Sequence, residues 1–145
     1  MKPMMASLLV GLILVGCAAG MSSEQPGRSK DPQIVVGRTW KWVSTVTPVE
    51  KIAAAAPERY TILLQEDGNV RVRFDCNKGR GKYTLSEGRI SFGPLMSTRM
   101  ACPPDTQDAS FMRDLQRVAS FFIERGELYL ELPVDSGTMR FRQAP

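Results

Sequence analysis

Histidine is absent from all 145 residues, and this absence removes several chemistries at once. Ser-His-Asp triads, Cys-His dyads and imidazole-ligated metal sites all need an imidazole. The sequence therefore argues against most hydrolases. It also has no EF-hand loop or other compact spacing of carboxylates, so no metal or cofactor is expected. Capping and solvent exposure account for Asp75, Asp105, Asp108 and Asp114.

A strong excess of one charge sign is also missing. The formal net charge is +4, and Lys2 is the only charged side chain before Cys17. Removing residues 1–16 therefore leaves 18 basic and 15 acidic side chains, or +3. This mild excess favours acidic lipid headgroups, polysaccharides or protein faces, but it is far from the clustered charge of nucleic-acid binders. We expect no nucleic-acid partner.

The sequence has no apolar segment of the kind that permanently spans a bilayer. The apolar run from Met4 to Val15 is too short, because a spanning helix needs about 20 apolar residues. Lys2 before the run and small residues after it are typical of a signal peptide, which we assign to residues 1–16.

Cysteine is scarce, and the first of the three cysteines has a specific context. The junction Leu14-Val15-Gly16-Cys17 resembles the bacterial lipobox, in which the cysteine sulfur receives a diacylglyceryl group. Several acyl chains would anchor the chain stably, since each buried methylene contributes about 0.8 kcal/mol. The alternative is an ordinary secretory leader with an incidental cysteine. The next residue, Ala18, is not the aspartate of inner-membrane retention, which favours the outer membrane, facing the periplasm, in a Gram-negative host.

After the lipobox the composition becomes polar. From Gly20 to Pro32 the chain is rich in Ser, Gly, Pro, Gln and charged residues and has no apolar periodicity. Such a composition predicts a flexible tether. We therefore divide the chain into a signal peptide (1–16), a lipidated cysteine with a tether (17–34) and one β-rich domain (35–145).

The domain alternates apolar and polar residues in short segments separated by Gly, Pro, Asp and Asn, a pattern typical of antiparallel sheets. Strands are predicted at 39–46, 60–64, 70–74, 82–86, 89–95, 120–124, 127–132 and 138–142. One helix is predicted after Pro103-Pro104, capped by Asp105 or Thr106, with Phe111, Leu115 and Val118 on its buried face. Residues 48–57 are predicted as a loop or a marginal helical turn. The fold class is mainly β (α+β): a small antiparallel barrel-like meander with one α-helix packed on it.

Several of these features occur together in a known family. Thr39-Trp40 opens a strand, Phe74-Asp75-Cys76-Asn77 precedes a glycine loop, and Thr98-Arg99-Met100-Ala101-Cys102 precedes the helix. This order resembles the META domain family, which includes HslJ-like heat-shock proteins of the bacterial envelope. The resemblance covers roughly residues 35 to 143. It implies a compact β-rich fold with a helix and an association with envelope stress, secretion and, in some members, antibiotic tolerance. It implies no catalytic residues. Asp75 stands where the family commonly has glycine, which suggests a different backbone angle at this corner.

Cys76 and Cys102 are the cysteines left after the lipobox. An even number of cysteines in an exported domain favours a disulfide. The loop between them would contribute about 3.5 kcal/mol by restricting the unfolded chain. The alternative, a redox-active or nucleophilic thiol, lacks a C-x-x-C spacing and a histidine partner.

Basic side chains concentrate around the segment Gly79-Arg80-Gly81. The candidate residues for binding an anionic partner are Arg71, Arg73, Lys78, Arg80, Lys82 and Arg99. The structural alternative is that arginines alternating with core residues form the solvent-exposed side of a strand. The segment is not a P-loop, because the P-loop spacing and its terminal Ser or Thr are missing. Trp40 and Trp42 are expected in the core rather than in a ligand pocket.

These features predict a non-enzymatic lipoprotein, monomeric and held at the membrane by Cys17. It would support envelope integrity under stress by binding an unidentified envelope protein or anionic envelope component. A second hypothesis is a lipid-anchored inhibitor that blocks a hydrolase cleft with a projecting loop. A third is a thiol-dependent enzyme or redox protein, which requires free thiols of low pKa.

Overall fold

The structure, a computed structural model, describes residues 27–145. The predicted signal peptide and Cys17 lie outside the described residues. The strands are β1 (Arg28–Ser29), β2 (Thr39–Val46), β3 (Lys51–Ala53), β4 (Tyr60–Leu64), β5 (Asn69–Phe74), β6 (Asn77–Ser86), β7 (Arg89–Phe92), β8 (Met96–Ser97), β9 (Ser120–Glu124), β10 (Glu127–Glu131) and β11 (Thr138–Gln143). The α-helix α1 covers Asp108–Leu115, and short 3-10 helices cover Pro32–Ile34, Pro57–Arg59 and Pro133–Asp135.

Eight antiparallel strands form a closed barrel in the order β9-β10-β11-β2-β4-β5-β6-β7. Arg89 of β7 pairs with Ser120 of β9, and this pairing closes the sheet on itself. β1 adds to β9, β3 adds to β2, and β8 adds to β6. The predicted fold class, a mainly β antiparallel barrel with one helix, is confirmed.

The barrel encloses an aromatic core that the helix extends. Trp42, Tyr60 and Phe111 lie with ring centroids 5.3 to 5.6 Å apart. The indole Nε1 of Trp42 donates a hydrogen bond to Thr45 Oγ1, and that of Trp40 donates to the carbonyl of Val35. Both tryptophans are fully buried, so they are core residues, as the sequence predicted. Phe111 and Leu115 of α1 are also buried, which packs the helix on the barrel.

Two segments predicted as loops contain strands. The first half of β6 includes Gly79 and Gly81, which look like turn residues in the sequence but lie inside a strand paired with β5. A Cβ at Gly81 would lie 2.7 Å from both Leu95 Cδ2 and the Pro94 carbonyl oxygen. Glycine is therefore required here by the close approach of residues 94–95 rather than by a turn. The other segment is β3, whose three residues pair with the end of β2.

Part of the segment predicted as a flexible tether has regular structure. Arg28 of β1 lies opposite Glu124 of β9, and the two side chains form an ion pair with a 3.1 Å N to O distance. The Arg28 guanidinium also lies 4.2 Å from the ring centroid of Phe122. These contacts attach residues 28–29 to the barrel despite their polar composition, and the 3-10 helix Pro32–Ile34 follows.

The helix is shorter than its apolar spacing suggested. It starts at Asp108 with Gln107 at the N-cap, and Gln107 makes no side-chain capping bond. The hydroxyl of Thr106 accepts a 3.3 Å hydrogen bond from the Asp108 N–H, so it supports the first turn from one residue before the cap. Val118 is buried but lies beyond the end of the helix.

Two carboxylates expected at caps or in solvent are buried instead. Asp75 is 2 % exposed and Asp114 is 1 % exposed. Asp114 Oδ1 accepts a 2.9 Å hydrogen bond from Nε of Arg113, while Asp114 Oδ2 has no partner among residues 27–145. Asp75 has a φ of 62°. The corner therefore has the positive φ that glycine tolerates best, although the residue there is an aspartate.

Candidate functional site

Four cationic side chains project from the outer face of two adjacent strands. The β5 residues Val70, Val72 and Phe74 are buried, so the alternating Arg71 and Arg73 face outward. In the register of β5 with β6, Arg71 lies directly opposite Arg80, and Arg73 lies directly opposite Lys78. We call these four residues the basic tetrad; they are Arg71, Arg73, Lys78 and Arg80. All four are exposed.

Like charges that face each other across two strands reduce stability. Directly opposite residues have Cβ atoms about 5 Å apart. Each like-charge pair therefore lowers the free energy of unfolding by up to about 1 kcal/mol. Neither the Arg71–Arg80 pair nor the Arg73–Lys78 pair is neutralised by an acidic side chain within residues 27–145. The fold therefore keeps two repulsive pairs next to each other in one sheet.

In another part of the same barrel, clustered arginines are paired with an acidic residue. Glu127 on β10 accepts hydrogen bonds from Arg140 and Arg142 on β11, with distances of 2.8 Å from Arg140 Nη2 and from Arg142 Nε. The hydrogen bond from Arg140 and the pairing with Arg142 lower the pKa of Glu127 to about 2. The arginines of β11 are thus neutralised by a partner, whereas the basic tetrad is not.

The basic tetrad lines a groove of about 660 Å³ on the outside of the barrel. We call this the basic groove. Thr61 and Leu63 of β4 contribute to its lining, together with the segment Met96–Thr98. Because β8 pairs with β6 at Gly79–Ser97 and Arg80–Met96, this segment adds one more strand beside the tetrad. The groove therefore combines four cations with apolar side chains.

The remaining predicted basic residues lie outside this groove. Lys82 lines a neighbouring depression of about 610 Å³, which also contains Asp67 and shares Arg71 and Arg80 with the basic groove. A backbone hydrogen bond from Asn69 is the main cause that lowers the pKa of Asp67, and the charge of Lys82 contributes. Arg99 lines neither depression. The structure thus brings together four of the six residues predicted from the sequence.

Cys76 and Cys102 are joined by a disulfide in the structure, with their Cα atoms 5.6 Å apart. Cys76 lies in the turn between β5 and β6, two residues before the tetrad residue Lys78. The disulfide therefore attaches the end of the segment 96–102 to the turn that joins the two tetrad strands. With both sulfur atoms in this bond, neither is a free thiol.

Asn77 belongs to the Cys76-Asn77 corner noted in the sequence, but the sequence alone predicted no role for it. Its Oδ1 accepts hydrogen bonds from the Thr98 hydroxyl at 2.9 Å and from the Met100 N–H at 2.8 Å. Its Nδ2 donates to the Met100 carbonyl at 3.1 Å and to Cys102 Sγ at 3.2 Å. Asn77 is 3 % exposed. One buried amide thus fixes the strand segment that forms a wall of the basic groove.

The buried Asp75 supports the same turn from the other side. Its carboxylate accepts hydrogen bonds from Arg59 Nη2 and, at 3.4 Å, from the hydroxyl of Tyr60. That hydroxyl accepts a 2.8 Å hydrogen bond from the Gln107 N–H at the start of the helix. Burial alone would raise the pKa of Asp75, but the hydrogen bonds from Thr106 and Arg59 lower it below its usual value. This charged network therefore joins the turn to the helix.

The basic groove is equipped for binding anions. Guanidinium groups donate several hydrogen bonds in a planar fork that matches phosphate and carboxylate oxygens.

Within the described part of the chain, no three His, Cys, Asp or Glu side chains come together as metal ligands. No helix within residues 27–145 has the length and hydropathy needed to cross a membrane.

Comparison with solved structures shows the same fold in other bacterial proteins. A protein from Burkholderia xenovorans, solved by NMR, is 22% identical, with a TM-score of 0.65 over 77% of this chain and 85% of that one. A DUF4847 family protein from Bacteroides vulgatus ATCC 8482 is 11% identical, with a TM-score of 0.58 over 76% of this chain and 94% of that one. At these identities the likeness concerns the fold alone.

No curated protein matches the chain. The family model of the META domain matches residues 33–145, which is the barrel with its helix and its disulfide. The match confirms the resemblance seen in the Cys76-Asn77 corner and the segment 98–102. The chain therefore belongs to the META domain family.

Proposed function

We propose that this protein is a non-enzymatic, monomeric envelope lipoprotein that supports envelope integrity under stress by binding an anionic partner in its basic groove. Cys17 would carry the lipid anchor, at the outer membrane and facing the periplasm in a Gram-negative host. The observation that supports the binding role is the basic tetrad. Arg71 opposes Arg80 and Arg73 opposes Lys78 without an acidic partner among the described residues.

The stability cost of the basic tetrad is a reason to assign it a function. Residues that reduce the stability of a fold while facing solvent are expected at functional sites, because the stability cost is then balanced by binding. An anion in the groove would turn both repulsive pairs into pairs that share one counterion. The contrast with Glu127, which neutralises Arg140 and Arg142 within the fold, supports this interpretation.

A non-enzymatic role is supported by the chemistry available. Both cysteines of the domain are in a disulfide, and the groove offers arginine, lysine, threonine and apolar side chains. General acid–base catalysis needs a group that exchanges a proton near neutral pH, which arginine does not provide. Binding is thus the activity that this residue set fits best.

The binding proposal is tested with polyanions of known chemistry. A soluble chain that begins at Ala18 contains the whole described barrel, its helix and its disulfide, and it lacks the proposed site of lipidation. We expect it to bind polyphosphate or polyglutamate in a calorimetric titration. The double substitution Arg71→Gln and Arg80→Gln should weaken binding by about tenfold or more, since charge-assisted hydrogen bonds to the anion are lost.

The matched control removes the same two charges outside the groove. Lys51 and Arg117 are exposed and line neither depression, so Lys51→Gln with Arg117→Gln should leave binding nearly unchanged. Equal losses in the two double variants would mean that net charge, not the groove, governs binding, and would refute the proposal. The anchor is tested separately, because mass spectrometry of the mature protein should find Cys17 at the N-terminus carrying acyl chains.

A further inference from the structure

The basic groove has an apolar side that a purely polar polyanion would leave unused. Met96 is 67% exposed and forms part of the groove wall beside Arg80. Met100, in the same segment, is 58% exposed. Leu63 also contributes to the lining, on the side of the groove opposite Met96. Cations and exposed methionines thus occur side by side on one surface.

We infer that the occupant of the basic groove is the phosphate-bearing headgroup of an anionic phospholipid in a bilayer surface. This inference rests on the proposed function and names the partner of the same site. A phospholipid presents a phosphate and, within a few ångströms, the first carbons of its acyl chains. Interfacial binding of proteins scales with buried apolar area plus the attraction of basic residues to anionic lipids. The basic tetrad supplies the attraction to anionic lipids, and Met96 supplies the apolar area.

The spacing of the tetrad fits phosphate oxygens. Opposite residues of the tetrad are about 5 Å apart at the backbone, and the two pairs are about 7 Å apart along the strands. Long side chains starting from these points can converge on one phosphate from several sides. Three of the four, Arg71, Arg73 and Arg80, present the guanidinium fork that binds phosphate oxygens in pairs.

The segment that carries Met96 and Met100 is held in place, so Met96 stays at the wall of the groove. The Asn77 amide binds the Thr98 hydroxyl and the Met100 backbone, and the Cys76–Cys102 disulfide attaches the end of the segment. Methionine side chains are flexible and polarisable, so they adapt to the irregular surface of acyl chains.

The length of chain between the domain and the proposed anchor permits this contact. Gly27, the first described residue, lies ten positions after Cys17, and an extended chain of that length spans at most about 35 Å. This distance is comparable to the size of the domain, so the barrel can rest with its groove on the bilayer. The lipid anchor would then raise the local concentration of headgroups, as a second binding signal does in other anchored proteins.

The test uses the soluble chain beginning at Ala18 and vesicles of two compositions. We expect it to sediment with vesicles of phosphatidylcholine mixed with phosphatidylglycerol, and far less with phosphatidylcholine alone. Arg71→Gln with Arg80→Gln should weaken vesicle binding about 30-fold, whereas Lys51→Gln with Arg117→Gln should change it much less. Soluble glycerol phosphate should bind much more weakly than vesicles, since it offers no acyl chain to Met96.

A methionine variant separates the lipid from other anions. Met96→Ser should weaken vesicle binding several-fold and leave polyphosphate binding unchanged. Val49 is 90% exposed in the turn before β3, so Val49→Ser is the matched control and should change neither. Equal effects of the two serine variants would overturn the inference. If polyphosphate or polyglutamate binds through the tetrad while vesicles do not, the lipid inference fails and the proposed function stands. If no anion distinguishes the groove variants from their control, both fail.

Discussion

The opposition of Arg71 and Arg80 predicts that a charge reversal in the basic groove will stabilise the protein. Arg80→Glu replaces the repulsive cross-strand pair with an attractive one, because the register places residue 80 directly across from Arg71. In the same strand, Lys78 and Lys82 lie two residues away on either side and on the same face. The new carboxylate would therefore meet three cations where the guanidinium met three like charges.

The expected gain follows from the energies of cross-strand pairs. An opposite-charge pair contributes roughly 0.2 to 1 kcal/mol, and a like-charge pair costs a similar amount. Both side chains are exposed, so solvent screening keeps the change near the middle of the summed range, at about 1 kcal/mol. For a domain of this size, a change of about 1 kcal/mol raises the melting temperature by about 4 °C.

Thermal unfolding followed by circular dichroism, at low and high salt, measures this gain. The advantage of Arg80→Glu should be largest at low salt and should shrink at high salt, since the Debye length falls to about 3 Å near 1 M. Arg99→Glu changes the net charge equally at an exposed site outside the groove and should give a smaller shift. An Arg80→Glu protein that melts at or below the wild-type temperature at low salt would refute the reasoning. The same variant should lose anion binding, so stability and binding move in opposite directions.

Three further substitutions test the supporting structure. The pKa of Glu127 in the folded protein is lowered to about 2. The stability that the Glu127 carboxylate contributes is therefore present at neutral pH, and it is lost as the pH falls from the ordinary pKa of a glutamate towards about 2. Glu127→Gln should therefore cost about 1 to 2 kcal/mol at pH 7 and almost nothing near pH 2, in melting curves across pH; a cost independent of pH would contradict this. Cys76→Ser with Cys102→Ser should lower the free energy of unfolding by about 3.5 kcal/mol in denaturant titrations, and a loss below about 1 kcal/mol would mean that the cross-link hardly restricts the unfolded chain. Asn77→Ala should cost about 2 kcal/mol and speed hydrogen exchange at residues 98–102, and unchanged protection there would show that Asn77 does not hold the segment.

The fold could be predicted where local pattern and tertiary role agree. The alternation around Trp40 and Trp42 predicts the bounds Thr39–Val46 that β2 has in the structure, because Trp40, Trp42 and Ser44 on one face of that strand are buried. β3 could not be predicted in this way. Its three residues have no alternation of their own, and they are a strand only because they pair with the end of β2.

The glycines of β6 show why a turn residue can be misread. Gly79 and Gly81 lie between charged residues, a composition that predicts a loop. In the structure, Gly81 lies where Pro94 and Leu95 approach the strand too closely for a side chain, whereas a Cβ at Gly79 would make ordinary contacts with its neighbours. That approach joins parts of the chain more than ten residues apart, and no local pattern records it. The missed half of β6 is also the half that carries Lys78 and Arg80.

The candidate site was predictable as a composition but not as a geometry. The alternation of β5 placed Arg71 and Arg73 on its solvent face, and this prediction rests only on period-2 spacing. Their opposition to Arg80 and Lys78 depends on the register set by the tight turn at Asp75-Cys76, which sequence does not specify. Arg99 lies between Thr98 and Met100, which are hydrogen-bond partners of Asn77, and Arg99 itself adds no cation to the groove.

The turn between β5 and β6 therefore connects the parts of the molecule that matter most. Its first residue, Asp75, is held by Arg59 and Tyr60 from inside, and its second, Cys76, is bonded to Cys102 from outside. A turn fixed on both sides fixes the register of the two strands that it joins, because a slip of one residue would move every side chain to the other face. The basic tetrad faces solvent in opposed pairs only in this register. The buried network and the disulfide thus do more than stabilise the barrel, since they also determine the arrangement of charge on its outer surface.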